Sequence, residues 1–324
     1  MMTTRRMAAL LATAIAIVPL HAYAQDWGRI LSDPNYLPLT GEFDGTTGFT
    51  YGMTKGDVFD GTGTQLDTFS VHTSTISQKF EYGVTDDFTL GLGMAYDPMV
   101  HRTVHPLGGF SRTADKSGFS DPSIEATYRV MDERNGPMIL DLFASYSPDL
   151  FRAQLADAND DGTVARGGQA ASMGLALGRE WPGFGIRGSA AADWVGKRSI
   201  TDPLMGTAMH DNSAWNYDLA LDTQARLTER ASVNVGAGYL FRQNYTVDDP
   251  ASAASWTTHP GDVGNVHVAL NYHFVPNRVV GSLTYQYNGY NHSSNTNATP
   301  PSFDNETRNQ TENVIGARLA YVLN

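Results

Sequence analysis

The sequence predicts an all-β protein, a transmembrane antiparallel β-barrel of about twelve strands. Three observations carry that expectation. The first is the segment Phe88 to Tyr96, Phe-Thr-Leu-Gly-Leu-Gly-Met-Ala-Tyr, where every second residue is large and apolar and those between are small or polar. A strand sends alternate side chains to opposite faces, so this strand has one apolar face and one polar face. The second is that the pattern recurs along the chain about a dozen times, as a barrel with lipid outside and water inside requires. The third is that short and long connections alternate, the mark of barrels with tight periplasmic turns and long external loops. A soluble sandwich also alternates, but it buries its apolar faces against a second sheet and needs fewer faces ending in aromatic residues.

The N-terminus reads as an export signal. Arg5 and Arg6 are followed by the apolar stretch Met7 to Leu20 and by the small-x-small site Ala22-Tyr23-Ala24. Residues 1–24 are therefore expected to be a signal peptide, because the apolar stretch is too short to span a bilayer comfortably. Residues 25–39, with Trp27, Ile30, Leu31, Tyr36, Leu37 and two prolines, lack the barrel pattern. They are expected to be a periplasmic lead-in that tucks into the barrel mouth, with the barrel itself occupying 40–324. The chain has no cysteine, which excludes disulfides and thiolate metal sites. Lys and Arg number 22 against 34 for Asp and Glu, a net charge of −12 that argues against nucleic acid as a partner.

The strands follow in order. Glu42–Thr54 turns Phe43, Phe49, Tyr51 and Met53 to one face and Glu42 and Asp44 to the other. Thr68–Tyr82 is the poorest match, because Gln78 falls among the lipid-facing Ile76, Phe80 and Tyr82; Lys79 and Glu81 then point inward. Phe88–Tyr96 follows after a short turn. Ser123–Val130 sends Ile124, Tyr128 and Val130 outward with Glu125 and Arg129 inward, and Met138–Tyr146 sends Leu140, Leu142 and Tyr146 outward with Asp141 inward. Ala171–Arg179 exposes Met173, Leu175 and Leu177; Phe184–Trp194 turns Arg187 and Asp193 inward. Trp215–Leu227 places Asp218, Asp222 and Arg226 in the lumen, and Val233–Arg242 adds Arg242. Val266–Phe274 puts His267 and His273 inside, Val279–Tyr290 exposes Leu283, Tyr285 and Tyr287, and Ile315–Leu323 carries Arg318 inward. The long connections are expected to be external loops: Lys55–Asp67, Asp97–Asp121, Ser147–Gly168, Gly196–Ser213, Gln243–Asp262 and Asn291–Glu312.

Two stretches carry a resemblance. The end of the chain, Ile315-Gly-Ala-Arg-Leu-Ala-Tyr-Val-Leu-Asn324, resembles the C-terminal signal read by the barrel assembly machinery, with Tyr321 and Leu323 in place and Asn324 departing from the usual terminal Phe. The pair Glu81-Tyr-Gly-Val-Thr-Asp-Asp-Phe-Thr-Leu-Gly91 and Gly118-Phe-Ser-Asp-Pro-Ser-Ile-Glu-Ala-Thr-Tyr-Arg129 resembles the outer-membrane proteins of the MetA-pathway of phenol degradation family. That resemblance implies a transporter-like barrel in the bacterial outer membrane, for small hydrophobic or aromatic molecules. The partners it implies are outer-membrane lipids, the assembly machinery and a small solute. The alternatives are a plugged structural or surface-interaction barrel and a barrel lipid hydrolase.

The residues expected to line the pore are Glu42, Asp44, Lys79, Glu81, Glu125, Arg129, Asp141, Arg187, Asp193, Asp218, Asp222, Arg226, Arg242 and Arg318. Such charges steer polar solutes, and they also pair across strands and fill the interior. No cofactor is expected. Asp157-Ala-Asn159-Asp-Asp161-Gly162 matches the start of a calcium loop, but the twelfth position is Gly168 and the bidentate Glu is missing. His101 and His105 are read as part of a solvated loop. His72 and Ser74 share a strand face, which would let an imidazole activate a hydroxyl, but no orienting third residue is visible and no enzyme is expected.

Overall fold

A computed structural model describes residues 31–107, 109–133, 136–155, 162–202, 207–250, 253–275, 277–299 and 304–323. The expected signal peptide, the calcium-loop residues Asp157, Asn159 and Asp161, and the terminal Asn324 lie outside the described residues.

Twelve antiparallel strands form a closed barrel. They are β1 (Phe43–Asp60), β2 (Gln65–Thr85), β3 (Phe88–Pro106), β4 (Ser123–Met131), β5 (Ile139–Ser147), β6 (Ala170–Trp181), β7 (Phe184–Val195), β8 (Ala214–Thr228), β9 (Ala231–Arg242), β10 (Val263–Val275), β11 (Val279–Tyr290) and β12 (Asn305–Val322). Each pairs with the next, and β12 returns to β1 from Asp44↔Val322 to Asp60↔Asn305. Closure leaves no open strand edge in the wall, which is what allows a sheet to cross hydrocarbon.

The alternation seen in the sequence decides which face meets lipid. Phe80, Leu92 and Ile124 stand opposite one another across β2, β3 and β4. Leu92 is 48% exposed, and Leu175, Leu219, Leu283 and Ile315 are also exposed. Large apolar side chains exposed in rings around a closed wall require a lipid solvent. Gln78, the polar intruder in β2, is satisfied locally: Thr47 Oγ1 donates to its Oε1 at 2.5 Å, and its Nε2 lies 3.3 Å from the Tyr321 hydroxyl.

The external connections depart from expectation. Lys55–Asp67 is mostly strand, because β1 continues to Asp60 and β2 begins at Gln65. The turn between them is closed by the Asp60 carboxylate, which accepts from the Thr62 and Thr64 amides at 2.9 and 2.8 Å. The expected loop Asp97–Asp121 contains the upper half of β3 and a returning strand, Arg112–Phe119, so His101 and His105 are strand residues. Paired segments also occupy Arg198–Asp202 with Thr207–Asp211, Tyr245–Asp249 with Ala254–His259, and Ser293–Thr299 beside β12. Above the bilayer both faces of a strand meet water. Backbone pairing then persists while the apolar alternation that reveals a strand disappears.

Candidate functional site

Residues 31–40 cross the lumen at its periplasmic end. The segment is a chain of turns, with the Tyr36 amide donating to the Asp33 carbonyl at 3.1 Å and the Asn35 amide to Asp33 Oδ1 at 2.8 Å. An Asp followed by Pro and Asn favours such self-capped turns over a strand. Ser32 and Asn35 are 4% and 1% exposed, buried against the inner wall.

Ser32 and Asn35 each anchor this segment to the wall. On one side, Gln224 Nε2 of β8 donates to Ser32 Oγ at 2.6 Å and Asn234 Nδ2 of β9 donates to the Ser32 carbonyl at 2.8 Å. That contact continues around the wall: Asn271 Nδ2 donates to Asn234 Oδ1 at 2.6 Å, and Ser282 Oγ donates to Asn271 Oδ1 at 2.7 Å. On the other side, Asn35 Nδ2 donates to the Ile186 carbonyl of β7 at 3.2 Å, and Arg129 Nη2 of β4 donates to the Asn35 carbonyl at 2.6 Å. The fit depends on absent side chains: a Cβ at Gly178 would lie 1.9 Å from Asn35 Oδ1, and one at Gly83 would lie 1.9 Å from the Leu39 carbonyl oxygen.

Arg129 belongs to a second cluster. Arg129 and Asp141 stand directly opposite on β4 and β5, and Arg129 grips Asp141 with Nε at 2.8 Å and Nη2 at 3.2 Å. Arg187 Nη1 donates to Oδ2, the oxygen that Arg129 Nη2 also contacts, and the Asp141 side chain is 0% exposed. A buried carboxylate is tolerated here because two cations and three donor contacts replace its water. Burial pushes the Asp33 carboxyl above its ordinary value, against the opposing effect of the Asn35 hydrogen bonds and the Arg129 and Arg187 charges.

The other expected residues are distributed as follows. Lys79 reaches Glu81 at 3.1 Å and Glu125 at 2.8 Å, passing over the inner-face glycines of β3. Asp222 accepts from His267 Nε2 at 2.9 Å over Gly236. Asp193 and Asp218 lie on β7 and β8 farther from the periplasm, while Arg226 lies at the periplasmic end of β8 opposite Ser232. Arg242 Nε donates to the Gly261 carbonyl at 2.6 Å, with its guanidinium 5.7 Å from the Tyr290 ring centroid. Asp44 accepts from the Tyr36 hydroxyl at 2.5 Å. Glu42 precedes β1 and accepts from the Leu39 amide at 2.7 Å, so it shapes the rim turn and stands ahead of the wall. Arg318 stands opposite Gly48 and Ser282. One residue that the sequence reading passed over is Phe143, whose ring lies against the inner face of Gly174.

The structure does not assemble the enzymatic pair. His72 Nδ1 hydrogen-bonds the Tyr51 hydroxyl at 2.7 Å, not Ser74. His101 Nδ1 contacts Asp115 at 2.6 Å and His105 Nδ1 contacts Ser111 at 2.7 Å. Among the described residues no group of three or more His, Cys, Asp or Glu is placed to hold a metal.

Comparison with solved structures finds the same fold. An outer membrane channel from Pseudomonas putida F1 matches with a TM-score of 0.56 at 15% identity, covering 89% of this chain and 97% of that one. The transport unit of the autotransporter AIDA-I from Escherichia coli matches with a TM-score of 0.54 at 11% identity, covering 97% and 96%. No family model matches the chain, and no curated protein is similar to it in sequence. The closed wall, the lipid-facing apolar rings and the charged interior define an outer-membrane β-barrel.

Proposed function

We propose that this protein is an outer-membrane channel for small molecules, narrowed at its periplasmic end by its own residues 31–40. The observation that carries this reading is the exposure of the inward charges. Lys79 and Glu125 keep 39% and 34% of their side-chain surface exposed, and His267 and Asp222 keep 32% and 31%. Charged groups inside a wall that crosses hydrocarbon retain that exposure when the interior is aqueous. The fold likeness to an outer membrane channel is in keeping with this, and the family resemblance suggests small hydrophobic or aromatic solutes. In this reading the inward charges line the passage, and the C-terminal strand is the part the assembly machinery recognises.

Residues 31–40 favour a second reading, a sealed barrel with a structural or surface role. Planar-bilayer recordings on the refolded full chain separate the two. Discrete conductance steps are expected, growing larger when residues 31–40 are replaced by a Gly-Ser run. Absence of steps in both proteins would favour the sealed barrel.

A further inference from the structure

Of the six basic residues expected to line the pore, five have partners. Lys79 has two glutamates, Arg129 and Arg187 share Asp141, Arg242 holds a backbone carbonyl, and Arg226 is also engaged. Arg318 is different. Its side chain is exposed to the lumen, and among the described residues its guanidinium has no carboxylate and no hydrogen-bond acceptor.

Its surroundings are cleared of bulk. Gly316 and Ala320 flank it on the inner face of β12, and Gly48 lies directly opposite on β1. A Cβ at Gly48 would come 2.7 Å from Ser77 Oγ, so the Ser77 hydroxyl overhangs the gap that Gly48 leaves. That hydroxyl has no partner among the described residues. Ser282, on the other side, already donates to Asn271 and is held in place. The anchors of Ser32 and Asn35 lie on β4 and on β7 to β9, and the Ser32 network runs on through Asn271 to Ser282, the residue opposite Arg318.

A lone guanidinium presents a planar fork of donors that matches an oxyanion bidentately. Arg318 carries one positive charge with no carboxylate partner among the described residues, so a single carboxylate matches it. We propose that Arg318, assisted by the Ser77 hydroxyl, is a binding residue for small organic monocarboxylates in transit through this lumen. The proposal deepens the channel reading by naming the chemical class of a solute.

The test uses the refolded full chain. Benzoate added during potassium chloride recordings is expected to interrupt the current, whereas benzyl alcohol, the same ring without the charge, is not. Arg318→Gln should weaken the benzoate effect at least tenfold and Arg318→Lys less, while Arg230→Gln, in an exposed periplasmic turn, should preserve it. Benzoate titration of the detergent-folded protein by saturation-transfer NMR reports binding without conductance. Binding lost in Arg318→Gln from a protein that shows no current would sustain this site and overturn the channel reading. Equal benzoate affinity in wild type and Arg318→Gln, equal block by benzyl alcohol, or tighter binding of phenyl phosphate would each overturn the monocarboxylate site.

Discussion

Gly178 on β6 and Asn35 in the lumen-crossing segment are in contact where no side chain could stand between them: a Cβ on Gly178 would lie 1.9 Å from Asn35 Oδ1 and 2.7 Å from its Cγ. Asn35 is 1% exposed and cannot swing into open space. Gly178→Ala is therefore expected to push residues 31–40 out of their seat and leave the barrel wall intact. Single-channel conductance should increase while heat-modifiable gel mobility stays normal. An unchanged conductance would show that the segment is not the constriction.

Asp141 is expected to be the most costly inward residue to remove. Asp141→Ala leaves the Arg129 and Arg187 side chains, only 13% and 18% exposed, without their common anion. Removing one side of a buried ion cluster costs about 3–5 kcal/mol. Urea unfolding of the detergent-folded variant, followed by gel mobility, should shift to lower denaturant by a corresponding amount. A midpoint equal to that of wild type would mean that water already compensates these charges.

Docking of residues 31–40 should depend on pH through Asp33. Burial raises its carboxyl above the ordinary 3.8, although Arg129 and Arg187 pull it the other way. Glu180 of β6 faces it as well and adds a like charge. An acid raised in the docked state binds a proton more readily there than when released. Docking is thus firmest at pH below 3.8 and weakens as pH climbs from there through the raised value. Conductance should be smaller at pH 4 than at pH 7, and Asp33→Asn should flatten the response. A conductance that falls as pH rises would contradict this account.

The two faces of β3 should respond oppositely to substitution. Leu92 faces lipid and is 48% exposed there, so Leu92→Arg should cost about 2–4 kcal/mol if it lies near the bilayer midplane. Gly93 faces the lumen, and a Cβ there comes 2.6 Å from the Ser123 hydroxyl, on a side chain that can rotate, and 3.7 Å from Glu125 Oε1. Gly93→Ser should fold, as judged by gel mobility. The reverse order of damage would place the register one residue out.

Ion preference follows from the charges that remain once the pairs are removed. Glu81 and Glu125 share Lys79 and leave one negative charge over, Asp141 is held by two arginines, and Asp222 is held by His267. Asp193 and Asp218 add negative charge farther from the periplasm, against the positive charge of Arg318. A weak cation preference is expected, fading at high salt as screening shortens the reach of each charge. Asp218→Asn combined with Asp222→Asn should move the reversal potential toward anions; clear anion preference in the unmodified protein would reverse this picture.

The barrel was legible because lipid imposes a period of two on every strand it touches. Leu90, Leu92 and Met94 announce β3 for that reason. His101 and His105, on the same strand, announce nothing, because both of their faces meet water. Inward pointing of Arg129, Asp141 and Arg187 follows from the same alternation. Their convergence does not, since it depends on how the turn between β4 and β5 sets Arg129 opposite Asp141. Phe143 was passed over because it sits in β5 among the lipid-facing Leu140, Leu142 and Tyr146, on the opposite face. The seat of residues 31–40 rests on single notches such as Gly178 and single hydrogen bonds such as Gln224 to Ser32, and neither has a period to read.

The pairing of β1 with β12 carries a consequence for how the molecule comes into being. Asp44 meets Val322, so this closing contact joins segments at nearly opposite ends of the barrel chain. Contacts so remote in sequence form late and slowly, after most of the loop-closure entropy has been lost. Until then β1 and β12, each 18 residues long, present bare ladders of amides and carbonyls to any other strand nearby. The half-built sheet is thus most prone to misassociate with a second copy in the interval before closure. A protein that shields those two edges during that interval would raise the yield of folded barrel without touching its final stability.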